Sequence, residues 1–353
     1  MTEFAQTLVD WWHHAGRKDL PWQRNKTAYR VWVSEVMLQQ TQASTVAPYF
    51  KRFMTRFPSV RQLAKASEDE VLEYWTGLGY YRRACFLHMA AIEIVGKHAG
   101  QVPDNVDALV TLPGIGRSTA GAIVAIAFNK NATILDGNVR RVVSRFYAVS
   151  GKRGAAKTEK RLWDYAEANT PTTQVDVYSQ AIMDLGATVC IRSKPKCPIC
   201  PLSGECKAHQ RGKENKYPSV RQHRPLRLQH ARFFVVINGQ GACLLKKRPT
   251  NGVWASLWSP PQYPRATSVF MLCEEIGLPA SKIAKTLTGV KFRHAFSHFQ
   301  LEIEPIYIFL HASYPEIAQT NDLRWHRPTD RAEFGLSAVA VKLLAEIESK
   351  GTL

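Results

Sequence analysis

Four cysteines lie within a span of seventeen residues, in the spacing C-x6-C-x2-C-x5-C: they are Cys190, Cys197, Cys200 and Cys206. Four thiolates on one short looped segment can converge on a single soft centre, either Zn²⁺ or an iron–sulfur cluster. Pairing as disulfides is the competing use of the same residues. The spacing therefore favours a metal or cluster site, but by itself it does not separate zinc from iron.

The remaining cysteines, Cys85, Cys243 and Cys273, are scattered, and we expect no secretory segment before Met1. We therefore expect a reducing, cytoplasmic environment. The longest uncharged apolar stretch, from Ala120 to Phe128, is much shorter than the ~18 residues that a membrane span needs. We expect no membrane partner.

The charge of the chain points to a polyanionic partner. Its 353 residues hold 47 Lys and Arg against 29 Asp and Glu, a formal net charge of +18. Such an excess favours binding to nucleic acid, although a merely solubilising charge is the alternative. The length allows two or three domains.

The pattern of apolar residues divides the chain near residue 210. Before it, apolar residues recur at helical spacing; the segments are Val60–Tyr74, Ala84–Lys97 and Lys157–Asn169. Residues 211–230 read as a basic linker that carries, among others, Arg221 and Arg224. Beyond it, alternating and β-branched runs predict strands; these are Arg232–Ile237, Ala242–Lys246 and Leu301–Leu310.

A glycine turn stands in the first part of the chain, Leu112-Pro-Gly-Ile-Gly116, followed at once by a helix of small residues. Gly114 and Gly116 allow a close backbone approach, so the turn and the helix N-terminus can direct N–H groups at a phosphate. A simple connector between two helices is the alternative.

Two acidic residues, Glu35 and Asp136, each interrupt an apolar run. A carboxyl in such surroundings tends to hold its proton near neutrality, whereas a better hydrogen-bonded neighbour stays ionised. This division of labour suits the cleavage of a glycosidic bond. The alternatives are an exposed helix position for Glu35 and a helix N-cap before Asn138 for Asp136.

These motifs occur together and in order, and the chain closely resembles the adenine DNA glycosylases, the MutY family of the helix-hairpin-helix superfamily. The resemblance covers nearly the whole chain. The cysteines and the glycine turn indicate only the superfamily, while the Glu35 segment and the C-terminal region indicate the narrower family. The motifs that carry it are Trp32–Gln42, Trp75–Tyr81, Leu112–Gly116, Ile134–Val139 and the four cysteines.

The resemblance implies a base excision repair enzyme that removes adenine mispaired with 8-oxoguanine or guanine in double-stranded DNA. Glu35 would be the general acid, and Asp136 would stabilise the positive charge on the sugar, directly or through a transient covalent bond. It implies a [4Fe-4S] cluster on Cys190, Cys197, Cys200 and Cys206. The expected adenine pocket and duplex wedge comprise Gln40, Tyr80, Ser118 and Asn138, and the expected phosphate contacts are Leu112, Gly114 and Gly116.

Ser118 stands where related glycosylase-lyases carry a Schiff-base lysine. We therefore expect a monofunctional enzyme that leaves an abasic site, although nearby Lys130 keeps some lyase activity conceivable. We expect a monomer in a bacterial cytoplasm, associated with the nucleoid.

The C-terminal part resembles a Nudix domain whose hydrolytic box is broken. The Arg and Glu that precede Glu274-Glu275 in that family align with Phe270 and Met271, so the metal-binding carboxylates are incomplete. The segment Phe292–His298 is similar to the family's 8-oxoguanine recognition loop, which implies contacts by Phe296, Ser297 and His298. An ordinary strand and turn is the alternative.

The expected fold is multidomain: an all-α helix-hairpin-helix region with an iron–sulfur loop, followed by an α+β Nudix-like domain. The helical region would span residues 1–210, with a six-helix barrel over 20–130 and a cluster lobe formed by 1–19 and 131–210. The linker would be 211–230 and the recognition domain 231–353. Other functions remain open: a non-catalytic sensor of damaged DNA, an endonuclease III-like lyase, or a hydrolase of free nucleotides.

Overall fold

The computed structural model describes residues 1–152, 154–219, 225–311 and 322–349. They form two compact units: the first contains residues 1–65 and 86–223, and the second contains residues 66–85 and 224–353, within the described ranges. The chain therefore enters the second unit twice, once briefly and once at residue 224.

Helices make up most of the first unit, whereas α5, α13 and α14 belong to the second. In chain order the α-helices of the described residues are α1 (Glu3–Ala15), α2 (Ala28–Leu38), α3 (Ala43–Arg56), α4 (Val60–Lys65), α5 (Glu68–Trp75), α6 (Arg82–Lys97), α7 (Val106–Val110), α8 (Arg117–Phe128), α9 (Gly137–Phe146), α10 (Ala156–Asn169), α11 (Val175–Thr188), α12 (Lys207–Gln210), α13 (Val269–Ile276) and α14 (Ala338–Ser349).

The predicted helix over Val60–Tyr74 is in fact two helices. The Ser67 hydroxyl accepts a hydrogen bond from the Glu70 N–H and begins α5, and Glu68, Asp69 and Glu70 form an acidic first turn. A hydroxyl cap and early carboxylates both favour a new helix N-terminus, so the helix restarts there although the apolar spacing continues. The other two predicted helices are confirmed within α6 and α10.

Helix α8 lies in the core of the first unit, where it packs against α2 and α11. Its residues from Ala120 to Ile126 are all buried, which small side chains permit. The turn before it is closed by a hydrogen bond from the Ile115 N–H to the Leu112 carbonyl oxygen, at 3.2 Å. Gly114 has φ +75°, and a Cβ there would lie 2.7 Å from Phe86 Cβ, so this turn requires glycine.

The segment before α9 passes unusually close to α8. A Cβ at Gly121 would lie 2.2 Å from the Thr133 carbonyl oxygen. Only a glycine lets the backbone of residues 133–135 approach α8 so closely. This segment leads directly to Asp136, the N-cap of α9.

Among the described residues of the second unit, eight strands form one mixed sheet, in the order β3-β2-β1-β7-β5 along its main path. The long strands β1 and β7 are parallel neighbours, and β1 also pairs with β4 while β6 pairs with β7. The strands are β1 (Arg227–Ile237), β2 (Cys243–Lys247), β3 (Trp258–Ser259), β4 (Gln262–Pro264), β5 (Ile283–Thr288), β6 (Phe292–Ala295), β7 (Phe299–Leu310) and β8 (Leu323–His326).

Helix α13 covers a core formed by β1, β2 and β7. Its buried side chains Leu272 and Ile276 pack with Phe234 and Ile308 of the sheet. Burial of this apolar surface stabilises the unit. The helical first part and the mixed α/β second part confirm the predicted fold class.

The predicted linker over residues 211–230 is partly wrong, because β1 already begins at Arg227. Backbone pairing of Arg227–His230 with Phe299–Glu302 extends the strand despite its basic composition. Residues 220–224, with Arg221 and Arg224 of the predicted linker, lie outside the described residues.

The close approach at Gly121 gives a stability prediction. We expect Gly121→Ala to destabilise the protein by about 1–3 kcal/mol, because the Thr133 carbonyl must move away from the new methyl group. Gly96 of α6 is the matched control, since a Cβ there meets nothing within 4 Å. Gly96→Ala should stabilise by ~0.5–1 kcal/mol. Urea unfolding of both variants tests the contrast, and equal effects would contradict it.

Candidate active site and cysteine centre

Glu35 lies on the inner part of α2, between the buried residues Ser34 and Val36, and its own side chain is only partly exposed. Burial raises the pKa of the Glu35 carboxyl to about 8, and the charge of Asp136 contributes to the rise. The structure thus brings the two predicted carboxyls near each other, although a hundred residues of sequence separate them. A carboxyl with this pKa holds its proton at neutral pH.

Asp136 is the N-cap of α9. Its Oδ1 accepts hydrogen bonds from the Asn138 N–H, at 3.0 Å, and the Val139 N–H, at 2.8 Å. Burial raises the pKa of Asp136, while these two N–H groups and the guanidinium groups of Arg141 and Arg140 oppose the rise. The capping role and the proposed catalytic role therefore coincide in one residue. Its carboxylate receives the hydrogen bonds that favour an anion, and Glu35 lacks that backbone support in α2.

Arg141 fastens the beginning of α9 to its surroundings. Its Nη2 donates to Asn138 Oδ1 at 2.8 Å, and its Nε donates to the Cys190 carbonyl oxygen at 2.6 Å. Helix α11 fits closely here, because a Cβ at Gly186 would lie 2.6 Å from Asn138 Cβ. Sequence reasoning missed Arg141, since a single basic residue in a basic chain gives no signal of its partners.

Two of the expected pocket residues have structural partners within the first unit. Ser118 Oγ accepts a hydrogen bond from the Leu135 N–H at 2.9 Å, and so ties the first turn of α8 to the segment before Asp136. Asn138 is held by Arg141. Gln40, in contrast, is exposed just after α2 and has φ +58°. Positive φ in a residue other than glycine is strained and is characteristic of functional sites.

In the glycine turn, the side chain of Leu112 is buried. Gly114 and Gly116 have no side chains, so nothing of their own covers the backbone there. Gly116 is the N-cap of α8 and offers no side-chain cap. The N–H groups at the start of α8 therefore lack this partner and are suited to an anion.

Tyr80 belongs to the second unit and is 48% exposed, with φ +48°. The carbonyl oxygen of the preceding Gly79 accepts from Trp75 Nε1 at 3.1 Å and from Arg83 Nη2 at 3.0 Å. The hydrogen bonds to Gly79 thus fix the backbone of this loop, while the Tyr80 ring extends into solvent.

The expected recognition residues lie at the turn between β6 and β7. Ser297 and His298 are exposed, and Phe296 N–H donates to the Phe299 carbonyl oxygen at 2.9 Å to close the turn. The Phe296 ring is only partly exposed, because it stacks on Phe299 with centroids 4.5 Å apart and contacts Trp254 at 4.8 Å. The polar tip formed by Ser297 and His298 is therefore supported by packed aromatic rings.

The four predicted cysteines line one cavity in the first unit, together with Arg145, His209 and Glu214. All seven cysteines lie within the described ranges and are free thiols there, so no disulfide takes the place of the predicted centre. Arg145 is buried and its Nη1 lies 3.3 Å from Cys190 Sγ, while other guanidinium N–H groups bind the carbonyl oxygens of Ile191 and Arg192.

These cysteines fit a metal centre by their chemistry. Burial raises the pKa values of the Cys197, Cys200 and Cys206 thiols, and the neighbouring cysteine charges raise them further. Four thiolates converging on one cavity need a positive centre to offset their mutual repulsion. The donor set therefore fits a soft metal or an iron–sulfur cluster.

In the second unit, the positions at which a Nudix domain would bind its metal are occupied by side chains with other roles. Phe270 and Met271 are exposed on α13, and Glu275 Oε1 pairs with Lys246 Nζ at 2.6 Å. This lysine and the Tyr263 hydroxyl lower the pKa of Glu275. The carboxylate is thus engaged by protein groups rather than offered to Mg²⁺.

The raised pKa of Glu35, from its usual 4.5 to about 8, makes stability depend on pH. Between these values the folded protein holds a proton that the unfolded chain releases, so stability falls as pH rises. Glu35→Gln should therefore raise Tm at pH 8.5 by on the order of a few degrees and have little effect near pH 5. Calorimetry at both pH values tests this. Glu348→Gln, at an exposed position of α14, is the control; a pH-independent gain in Glu35→Gln would contradict the prediction.

Comparison with known proteins places this geometry in a family. Residues 33–168 match the model of the HhH-GPD superfamily base excision DNA repair proteins, and residues 232–346 match that of the NUDIX domain. The chain resembles a thermostable thymine-DNA glycosylase structure, with a TM-score of 0.53, 27% identity, and coverage of 59% of this chain and 95% of that one. An endonuclease III–DNA complex, at 21% identity and a TM-score of 0.50 over 59% of this chain and 94% of that one, shares the fold.

Two similar proteins are both named adenine DNA glycosylase. The adenine DNA glycosylase of Buchnera aphidicola from Acyrthosiphon pisum is 38% identical over 97% of this chain and 96% of its own length. The human adenine DNA glycosylase is 30% identical over 97% of this chain and 73% of its own length. Identity at this level over nearly the full length, together with both matched domain models, confirms the family expected from the motifs. The chain belongs to the adenine DNA glycosylase family.

Proposed function

We propose that this protein hydrolyses the N-glycosidic bond of adenine mispaired with 8-oxoguanine or guanine in duplex DNA and leaves an abasic site. The observation that carries the proposal is the pair of carboxyls, in which Glu35 has a pKa of about 8 beside the hydrogen-bonded Asp136. The relatives' name, adenine DNA glycosylase, supports the removal of adenine from DNA.

Glu35 acts as the general acid. Protonation of the adenine ring turns a poor leaving group into a good one, and a carboxyl that keeps its proton at neutral pH can supply that proton. Once adenine has left, the Glu35 carboxylate can accept a proton from the attacking water. Asp136 faces the positive charge that develops on the deoxyribose and stabilises it, or forms a transient bond to it.

Adenine must leave the base stack before this chemistry occurs, and the flip costs a few kcal/mol, less at a mispair. Gln40 and Tyr80 fill the gap in the duplex, since each is an exposed side chain on a backbone with positive φ. Ser118 and Asn138 shape the adenine pocket from positions that their own hydrogen bonds fix.

DNA binding uses the phosphates first. The N–H groups that follow Gly116 at the start of α8 bind one phosphate, and the turn from the buried Leu112 through Gly114 contributes backbone only. The net charge of +18 supplies the general attraction.

Recognition of 8-oxoguanine belongs to Ser297 and His298, whose polar groups are exposed at the tip between β6 and β7. Their hydrogen-bonding groups can read a base edge. Phe296 supports the tip from below, and only its partly exposed edge is available to wedge against DNA.

The protein is monofunctional. Ser118 is a weak nucleophile, and its hydroxyl already accepts the Leu135 N–H. The ammonium of Lys130 is paired with Asp104. A Schiff base requires a free, neutral amine, which an ion pair disfavours.

We further propose that Cys190, Cys197, Cys200 and Cys206 hold a [4Fe-4S] cluster. Such a cluster would cross-link the segment from Arg192 to Lys207, a basic loop that is suited to binding DNA phosphates. Arg145 holds the backbone of this loop in place through the carbonyl oxygens of Ile191 and Arg192.

Metal analysis tests the cluster. We expect about four iron atoms and about four acid-labile sulfides for each chain, as the cluster formula requires. Cys200→Ser should lose most of the iron, while the control Cys85→Ser should keep it, because Cys85 lies outside the cavity. A single zinc ion without iron would contradict the proposal.

Adenine release tests the activity. Protein in excess is incubated with duplexes that hold adenine opposite 8-oxoguanine, guanine or thymine. We expect fast release from the two mispairs and an uncut strand that gives no borohydride adduct. Glu35→Gln should lower the rate by about a thousand-fold, in the range of a lost general acid.

The controls separate the parts of this proposal. Glu3→Gln removes an exposed carboxylate from α1 and should act like the unchanged chain. Equal release opposite thymine would contradict the mispair preference, and strong borohydride trapping would contradict the monofunctional mode. Tight binding without any release would favour the non-catalytic sensor.

A further inference from the structure

Helix α5 and the loop that follows it, residues 66–85, belong to the compact unit of the Nudix-like sheet. This assignment is unexpected, because the same residues fall within the span matched by the HhH-GPD model. The chain therefore sends one helix and one loop of the glycosylase sequence into the recognition unit.

The apolar side of α5 is packed tightly in that unit. Leu72 is buried, and a Cβ at Gly335 would lie 2.5 Å from Leu72 Cβ and 2.7 Å from Leu257 Cδ2. There is no room for α5 to move towards Gly335. The Trp258 ring, fully buried beside Leu257, donates its Nε1–H to Asp69 Oδ1 at 3.2 Å.

Polar contacts fix α5 along its length. Lys247 Nζ lies 3.0 Å from Asp69 Oδ1 in the first turn. Near the other end, Arg331 donates through Nε and Nη2 to Glu73 Oε1, at 3.0 and 2.7 Å. The Leu336 N–H donates to Thr76 Oγ1 at 3.3 Å, immediately after the helix. Strand residues and the segment 331–336 thus hold both ends of α5.

The loop with Tyr80 is built directly on the end of α5. Trp75 Nε1 binds the Gly79 carbonyl oxygen, and the Gly77 N–H donates to the Tyr81 hydroxyl at 3.1 Å. Arg83 closes the loop from the other side, on the carbonyl oxygens of Gly79 and Tyr80. A displacement of α5 therefore moves the backbone that carries the exposed Tyr80 ring.

We propose that the Nudix-like unit, besides reading the base, is the platform that positions Tyr80 for insertion into the duplex, through the docking of α5 on Leu257, Trp258 and the segment 331–336. The inference rests on the proposed function, because it takes Tyr80 as the duplex wedge. Arg331 and Gly335 are then positioning residues that act on DNA through α5.

Two variants of the full chain disturb the platform by different routes. Arg331→Glu sets a negative charge against Glu73, and Gly335→Ala drives a methyl group against Leu72. Lys285→Glu is the matched control: it makes the same charge change on the exposed face of β5. Insertion is read from the emission of 2-aminopurine placed beside 8-oxoguanine in the duplex, which rises on unstacking. Saturating protein in a Glu35→Gln background keeps the DNA intact.

We expect Tyr80→Ala to abolish the rise in emission, and Arg331→Glu and Gly335→Ala to reduce it while circular dichroism stays unchanged. With Glu35 restored, Arg331→Glu should slow single-turnover release about five-fold, the size expected from repulsion between an exposed charge and a partly buried one. The double variant Glu73→Arg, Arg331→Glu should recover the emission and the rate, and Lys285→Glu should retain both.

Wild-type emission in both platform variants, together with its loss in Tyr80→Ala, would overturn the platform. An unaltered emission in Tyr80→Ala would overturn the wedge and the platform together. Because unstacking is read without chemistry, a failure of the unchanged chain to release adenine would overturn the glycosidase proposal alone.

Discussion

The candidate site depends on two hydrogen bonds that the Asp136 side chain accepts from backbone N–H groups. The same oxygen begins α9 and keeps a carboxylate directed at the site, next to Glu35. A capping carboxylate is held within a narrow range of positions, because both N–H groups must remain satisfied. The site thus gains a carboxyl group in a fixed position from an element that the fold needs in any case.

Several less conspicuous residues serve this one cap. Gly121 lets the preceding backbone approach α8, and Ser118 binds that backbone through the Leu135 N–H. On the other side, Gly186 leaves room for Asn138, and Arg141 joins Asn138 to the carbonyl oxygen of Cys190. Through Arg141, the segment that carries the cysteines and the segment that carries Asp136 share one set of hydrogen bonds. Order in either segment therefore supports order in the other.

Local chemistry allowed much of this to be predicted from the sequence. The turn at Gly114 and the convergence of the cysteines depend on neighbours a few residues away. The same holds for the helix cap at Asp136, which the sequence offered as the alternative to a catalytic role. The second half of the fold followed from alternation of side chains, although β1 began earlier than its composition indicated. There, pairing with β7 outweighed local propensity.

What the sequence did not reveal depends on contacts between distant segments. The membership of α5 in the second unit rests on Gly335 and Trp258, some two hundred and sixty and one hundred and ninety residues away from their partners Leu72 and Asp69. No periodicity within α5 encodes such a partner. In the same way, Phe296 reads as a free wedge in sequence, but the stacking on Phe299 and Trp254 makes it mostly a support for its polar neighbours.

The position of Glu35 shows why the fold must be stable elsewhere. Because the pKa of Glu35 is raised to about 8, the folded protein at neutral pH holds a proton that the unfolded chain would release, and this lowers the stability of the fold. The protein bears this cost in order to keep an acid at neutral pH. The cost is local to α2, whereas the compensation is spread over a buried α8 and its neighbours, where small residues pack closely. A change that lowered the pKa of Glu35 would remove this cost, but it would also remove the proton that the chemistry requires. Selection for stability and selection for activity therefore act in opposite directions at this position, and the dense packing around α8 allows both to be met.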